Sequence, residues 1–380
     1  MSSINSISAL LFWCLAITPA FARLSYPKPR QAASDLTPIM FSEPLLEPNI
    51  IATFDNGIWI ENLAARSTDG NFVGTVLSKP QVYLISYDSK FDPVIVAEFP
   101  EYTACLGIVE LGLDVFYAVI GNFSTKTFTS TQGSYSIWEI NLNGLELEHD
   151  SEGHWSDWKR GTQAQLKKVA DLPDAGLANG LTVLNPTLGI LLVADSINGI
   201  VWSVNVRTGD VASAIKDATM APQPDLSGGL PLGINGLVAS NGYLYYDNTN
   251  TVTFYRSPIN STTGAATGPA ELLIDQEFAN IFPDDFTLDF AGNAWLACEY
   301  GHVAFFDSVT NGEKHNITAV AGNSTGLPHG LTSAKFGITS LDLERGSLYV
   351  STNGDPFSYG SDEPAKGQLV RYDTAVLGYY

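Results

Sequence analysis

The stretch GINGLVASNGYLYYDN, residues 233–248, contains Asn-Gly twice, and the two pairs ask for different structures. Asn241-Gly242 falls between the apolar runs LVAS and YLYY, where a two-residue hairpin turn belongs. Asn235-Gly236 stands ahead of the first run instead. The same arrangement recurs upstream in GLANGLTVLNP, where Asn179-Gly180 precedes LTVL. An asparagine repeated at the mouth of a strand points to a repeating β architecture.

The rest of the chain carries that pattern. Short β-branched and aromatic runs, among them VYLISY, DVFYAVI, ILLVAD, IVWSVNV, NAWLAC and SLYVST, are separated by Gly, Asn, Asp and Pro, with almost no helical periodicity. The runs come in pairs, and each pair follows one further apolar segment: NLAARS, LGIVEL, NGLTVL, NGLVAS, DDFTLD and TSAKFG. These six segments start at Asn62, Leu106, Asn179, Asn235, Asp284 and Thr332, a period of roughly 45 to 55 residues. About four strands per unit at that period predicts an all-β fold, a six-bladed β-propeller, because a single blade buries both faces only when neighbours stack on it. The strand PNIIATFD, residues 48–55, is left over before the first unit, and the last unit lacks an outer strand. Pairing the N- and C-terminal strands therefore closes the ring and removes an open edge.

The sequence divides into a signal peptide (1–22), an N-terminal extension (23–47) and the propeller (48–380). The run ALLFWCLAI followed by Ala20-Phe21-Ala22 reads as an export signal with a small-x-small cleavage site, although its start lacks a basic residue. No later segment approaches the roughly 18 to 20 apolar residues of a membrane span. Four Asn-x-Ser/Thr sequons, at Asn122, Asn260, Asn316 and Asn323, sit in polar, turn-rich stretches and are expected glycan sites of a protein in the secretory pathway or beyond it. Cys105 and Cys298 remain after signal removal, either as a disulfide or as two buried apolar side chains. A formal net charge of −21 argues against nucleic acid and anionic membrane as partners. The segment 141–165, with His149, His154, Trp155 and Trp158, is too long for a blade turn and reads as a lid or a surface insertion.

In a propeller the innermost strand of each blade lines the channel, so the starts of the six segments converge on one mouth. Glu61, Asn179, Asn235, Asp284 and Asp285 then offer oxygen donors only, a set suited to calcium or magnesium. The alternative is that each asparagine caps its own turn and each aspartate pairs with a backbone amide. No serine nucleophile elbow, phosphate-binding glycine loop or Cys-His pair is visible.

GLANGLTVLNP, GINGLVASNG, FPDDFTLDFAGNAWLACEYG and TSAKFG, in this order and spacing, together with WIENLAARSTDG at the first blade, resemble the six-bladed senescence-marker-protein, gluconolactonase and paraoxonase superfamily. The resemblance covers essentially the whole mature chain. It implies metal ligation by Glu61, Asn179, Asn235, Asp284 and Asp285. One departure stands out: where the paraoxonase-type calcium lactonases carry a histidine base, this chain has Leu106, which cannot take a proton. His329, in LPHGLTSAKFG, is the candidate substitute.

In texture the chain is similar to fungal secreted members associated with secondary metabolism, some of which are hetero-Diels-Alderases. That resemblance implies joining a quinone methide, derived from a tropolone or phenol, to a terpene alkene such as humulene. Such a cycloaddition needs neither a base nor a redox cofactor. Asn62, Asn179 and Asn235 are the expected catalytic hydrogen-bond donors, with Tyr102, Leu106, His329 and Thr332 as walls for small hydrophobic substrates. A metal-dependent lactonase and a noncatalytic ligand-binding propeller are the alternatives.

Overall fold

The computed structural model describes residues 37–378 other than 39, 43–44, 146–147, 150–154, 157–163, 224–229, 275–277, 280–281, 300, 308–316, 323–329 and 355–365. Six four-stranded antiparallel blades surround one axis. Blade 1 is Ile60–Ala65, Phe72–Val76, Gln81–Ile85 and Val94–Glu98. Blade 2 is Ala104–Glu110, Val115–Gly121, Tyr135–Asn141 and Gln165–Leu172. Blade 3 is Ala178–Asn185, Ile190–Asp195, Ile200–Asn205 and Val211–Lys216. Blade 4 is Ile234–Ser240, Tyr243–Asn248, Thr253–Pro258 and Glu271–Ile274. Blade 5 is Pro283–Leu288, Ala294–Cys298, His302–Phe306 and Ile317–Ala321.

Blade 6 takes Leu331–Phe336, Ser347–Thr352 and Lys366–Asp373 from the C-terminal end of the chain and its outer strand, Asn49–Asn56, from the N-terminal side. That last pairing is antiparallel, with Asn49 opposite Arg371, and it closes the ring as expected. The innermost strand of every blade touches those of both neighbours, and that of blade 6 returns to blade 1. The N-terminal extension also has a role. Met40–Phe41 adds a short parallel fifth strand to the outer edge of blade 5, covering an edge that would otherwise stay open.

All six innermost strands shift register within their first few residues: at Ile60/Asn62, Cys105/Ile108, Ala178/Leu181, Ile234/Leu237, Pro283/Asp285 and Leu331/Ser333. A bulge inserts one unpaired residue and re-aims its side chain, so the fold places six such residues around the channel mouth.

Two roles of Asn-Gly separate here. Asn241 and Gly242 have φ of 49° and 81°, the hairpin turn expected from their position. The glycines of the other pairs serve differently, because neither Gly180 nor Gly236 takes a positive φ. What they lack is a Cβ. One built on Gly180 would lie 2.4 Å from the Asn235 carbonyl oxygen, and one on Gly107 in blade 2 would lie 2.5 Å from that of Asn179. Adjacent inner strands approach so closely at their bulges that a side chain there would collide with the next blade's backbone.

Between blades the core is aliphatic and aromatic, with Trp295, Tyr246, Phe72, Phe116 and Phe286 fully buried. Cys105 and Cys298 are buried free thiols in blades 2 and 5, so no disulfide joins them. Of the 141–165 segment, Glu148–His149 pairs with Trp155–Ser156 as a small hairpin, while His154 and Trp158 lie outside the described residues. So do residues 1–36, His329, Asn316 and Asn323. Of the two described sequons, Asn260 is exposed and accepts hydrogen bonds from Thr262 and Thr263, whereas Asn122 is half-buried.

Candidate functional site

The bulge residues of blades 3, 4 and 5 form one hydrogen-bonded chain. Asn179 Nδ2 donates to Asn235 Oδ1, and Asn235 Nδ2 donates to Asp284 Oδ1 at 2.7 Å. The second amide hydrogens go to the residues that end each blade's second strand: Asn179 to Ser196 Oγ at 3.3 Å, Asn235 to Thr249 Oγ1 at 2.9 Å. Both carboxamides therefore spend their donors inside the protein.

Asp285 belongs to a second network. Its Oδ2 accepts from Asn62 Nδ2 at 3.0 Å, Ser333 Oγ at 2.8 Å and Lys335 Nζ at 3.1 Å, tying blade 5 to blades 1 and 6. Among the described residues Asn62 Nδ2 has this one acceptor for its two hydrogens, so of the three carboxamides it alone has a donor uncommitted there.

Glu61 stands apart from both networks. Its Oε2 is buried with no hydrogen-bond partner among the described residues. Burial, followed by the field of Glu299, lifts its pKa from 4.5 to about 8; the Trp59 side chain offsets part of the rise and Asp285 adds to it. Asp284 is pushed well above the usual carboxylate range, first by burial and then by Glu61, Glu299, Asp247 and Asp285. Asp247, buried beneath Gly236, is pushed up by burial and by Asp285. Five carboxyl groups thus meet near one ammonium group, that of Lys335. Such a cluster must be neutralised by protons or by a cation.

The opposite sector of the mouth is apolar. Leu106, at the bulge of blade 2, is 1% exposed inside a cluster that includes Trp59, Ala104, Phe123, Leu177 and Ala178. It backs the channel wall instead of lining it. Thr332 is equally buried, donating to the Ile60 carbonyl across the joint between blades 6 and 1 and meeting Ser351 Oγ at 2.9 Å. Tyr102 packs edge-on against Trp138 of the third strand of blade 2, ring centroids 6.1 Å apart, with Lys168 Nζ 5.9 Å above its ring. That contact faces away from the mouth. The expected substrate walls are therefore structural at Thr332 and Tyr102, and one layer deep at Leu106.

Glu299, Asp247, Trp59 and Lys335 are the site residues the sequence pattern missed. A signal existed for one of them: Ser196, Thr249, Glu299 and Asn353 each follow the second strand of their blade, and each donates its backbone N–H to the residue immediately before that blade's inner strand. The second tier of the mouth repeats as regularly as the first.

For a divalent cation, the donor set at Glu61, Asn179, Asn235 and Asp284 fits in one respect, the orphaned Glu61 oxygen. Asn179 Oδ1 also receives no hydrogen bond from the described residues. Asp285 does not fit, since Lys335, Asn62 and Ser333 already occupy its outward oxygen. Among the described residues no three His, Cys, Asp or Glu side chains form a metal site by themselves, so the carboxamides would have to complete the shell.

No protein-family profile matches the chain. It is 24% identical over 333 residues, 80% of its length and 78% of the relative's, to a protein named "Putative hetero-Diels-Alderase asR5" from Sarocladium schorii. A relative with the same description from Phoma sp is 24% identical over 330 residues, 80% of this chain and 87% of its own. Among solved structures, the major allergen Mala s 1 of Malassezia sympodialis superposes with a TM-score of 0.59 at 12% identity, covering 88% of this chain and 98% of its own. A calcium-binding regucalcin from Agrobacterium tumefaciens gives 0.52 at 15% identity, over 85% and 95% of the two chains. These structural likenesses establish the shared six-bladed fold. The sequence relatives carry the name of an enzyme.

Proposed function

We propose that the protein is a hetero-Diels-Alderase that joins a quinone methide to an electron-rich alkene. The observation that carries this reading is the pair of relatives of that name, aligned over four-fifths of the chain. In the reaction the oxygen and exocyclic carbon of the quinone methide each form one σ bond to the alkene carbons, giving a dihydropyran. No atom leaves, and no proton is transferred in the ring-forming step. What the protein must supply is a hydrogen bond to the quinone methide oxygen and an apolar surface that holds the alkene within about 3 to 3.5 Å of it.

The mouth has groups for both tasks. Glu61, whose buried Oε2 has no hydrogen-bond partner among the described residues and whose pKa burial lifts to about 8, is the principal donor, supplemented by the Asn62 carboxamide. This revises the roles expected of Asn179 and Asn235, whose donors are committed elsewhere; they hold Asp284 in place. A divalent cation on Glu61, Asn179, Asn235 and Asp284 would polarise the same carbonyl oxygen as a Lewis acid. The lactonase alternative rests on that cluster of acids, and Leu106, buried where a proton-accepting residue would be needed, weighs against it.

The test generates a quinone methide from a hydroxymethyl tropolone in the presence of humulene, with and without protein. A single enantiomer formed faster than background is the expected result, with Glu61→Gln retaining part of the rate and Glu61→Leu little of it. A racemic product at the background rate would refute the reading for this substrate pair.

A further inference from the structure

The connection between the second and third strands of blade 2 is longer than a turn and contains its own two-stranded hairpin, Phe123–Ser124 with Thr129–Ser130. Because the inner strand runs away from the mouth and the second strand returns to it, this hairpin stands on the mouth side, over the apolar sector. It is firmly anchored. Thr103 Oγ1 donates to the Phe123 carbonyl and accepts from its N–H, both at 2.9 Å. Ser130 Oγ reaches the Gly176 carbonyl and lies 2.6 Å from the Tyr135 hydroxyl, while Thr127 Oγ1 closes the tip onto Ser124 at 2.8 Å.

At the tip sits Phe128, half-buried, with φ of 50°. A bulky residue in that region is an outlier, since glycine or asparagine would adopt it with less strain. Strain of this kind persists where the surroundings enforce it and calls for a functional reason. The Phe128 ring lies 6.0 Å from the ring of Trp59 and 6.0 Å, edge-on, from that of Phe123. Trp59 is two residues before Glu61 in the chain. The indole that meets the aromatic tip thus belongs to the chain segment that leads into the first blade's inner strand, which carries Glu61. Half-buried Ile197, Leu230 and Leu232 pack against the same apolar cluster.

We propose that Phe128, with Trp59, Leu230 and Leu232, forms the subsite for an unfunctionalised hydrocarbon, the alkene partner of the cycloaddition, and that Phe128 is the residue that selects it. The proposal rests on the cycloaddition reading for the identity of that partner. The hydrocarbon is uncharged and offers no hydrogen bond, so it leaves the neighbouring acids undisturbed, whereas an anionic ligand would meet their repulsion. Its recognition is by area alone, and an aromatic side chain contributes the largest share of area at one position.

Cyclododecane, a macrocyclic hydrocarbon that cannot react, tests the subsite apart from the chemistry. Its dissociation constant is measured by calorimetry for the wild type, Phe128→Gly and Phe290→Ala, the last removing a ring that is 94% exposed on the opposite face. Phe128→Gly is expected to weaken binding about tenfold, equivalent to about 1.4 kcal/mol, while a single cooperative melting transition shows that the fold is kept. Phe290→Ala is expected to bind as the wild type does. Unchanged affinity in Phe128→Gly, or no binding to the wild type, overturns the subsite. Wild-type binding lost in Phe128→Gly, without any cycloaddition activity, upholds the subsite while sinking the reaction it was assigned to.

Discussion

The two halves of the channel mouth are built from equivalent positions of the same repeat and differ in what the bulge residue carries. In blades 3, 4, 5 and 1 it is Asn179, Asn235, Asp284 and Glu61, and the result is a polar sector in which most donors and acceptors are already matched. In blade 2 it is Leu106, and the sector beside it is closed by Trp59, Phe123 and Phe128. The contrast teaches that the propeller sets where side chains converge, while the residue each blade places at its bulge decides whether that sector is polar or apolar.

The largest effect expected of this division is a dependence of stability on pH. Glu61 titrates near 4.5 when unfolded and near 8 when folded, so the folded state holds the extra proton between these values. Stability is therefore fully retained below 4.5 and falls as pH rises towards 8, by at most about 1.4 kcal/mol per pH unit. Denaturant titrations from pH 4.5 to 8 in chelator are expected to show this fall, and Glu61→Gln to make it shallower, the remainder coming from Asp284 and Asp247. Calcium that restores stability at pH 8 in the wild type, with no effect on Glu61→Gln, would assign the neutralising role to a cation. A flat profile in the wild type would break the electrostatic half of the comparison.

A smaller effect is expected from Asn235→Ala, which leaves Asp284, Thr249 and Asn179 without a shared partner in a buried network. The loss should be about 2 to 3 kcal/mol by equilibrium unfolding. Since both amide hydrogens of Asn235 are internal, the variant tests whether carboxamides in this sector support the fold. A loss below about 0.5 kcal/mol would mean that the chain from Asn179 to Asp284 carries no stability.

The architecture was legible in the sequence because strand periodicity and turn residues are local signals, repeated six times. Asn241-Gly242 and the leftover strand at Asn49–Asn56 gave the hairpin and the ring closure directly. Convergence at Glu61, Asn179, Asn235 and Asp284 followed from the repeat alone. Legibility ended where one position depends on another: the sequence cannot show that Gly180 lies against the Asn235 carbonyl, that Lys335 reaches Asp285, or that Asn235 has no donor left. Tyr102 and Thr332 sit near the starts of inner strands and still turn inward, because packing against Trp138 and the Ile60 carbonyl outweighs proximity along the chain. Phe128 carries no sequence signal at all, since its positive φ exists only in the folded hairpin.

The most direct test of the divided mouth is a crystal structure of the protein with the dihydropyran cycloadduct of humulene bound. The account predicts the pyran oxygen within hydrogen-bond distance of Glu61 and the hydrocarbon ring against Phe128 and Trp59. An adduct bound in the reverse orientation, or outside the mouth, would contradict it.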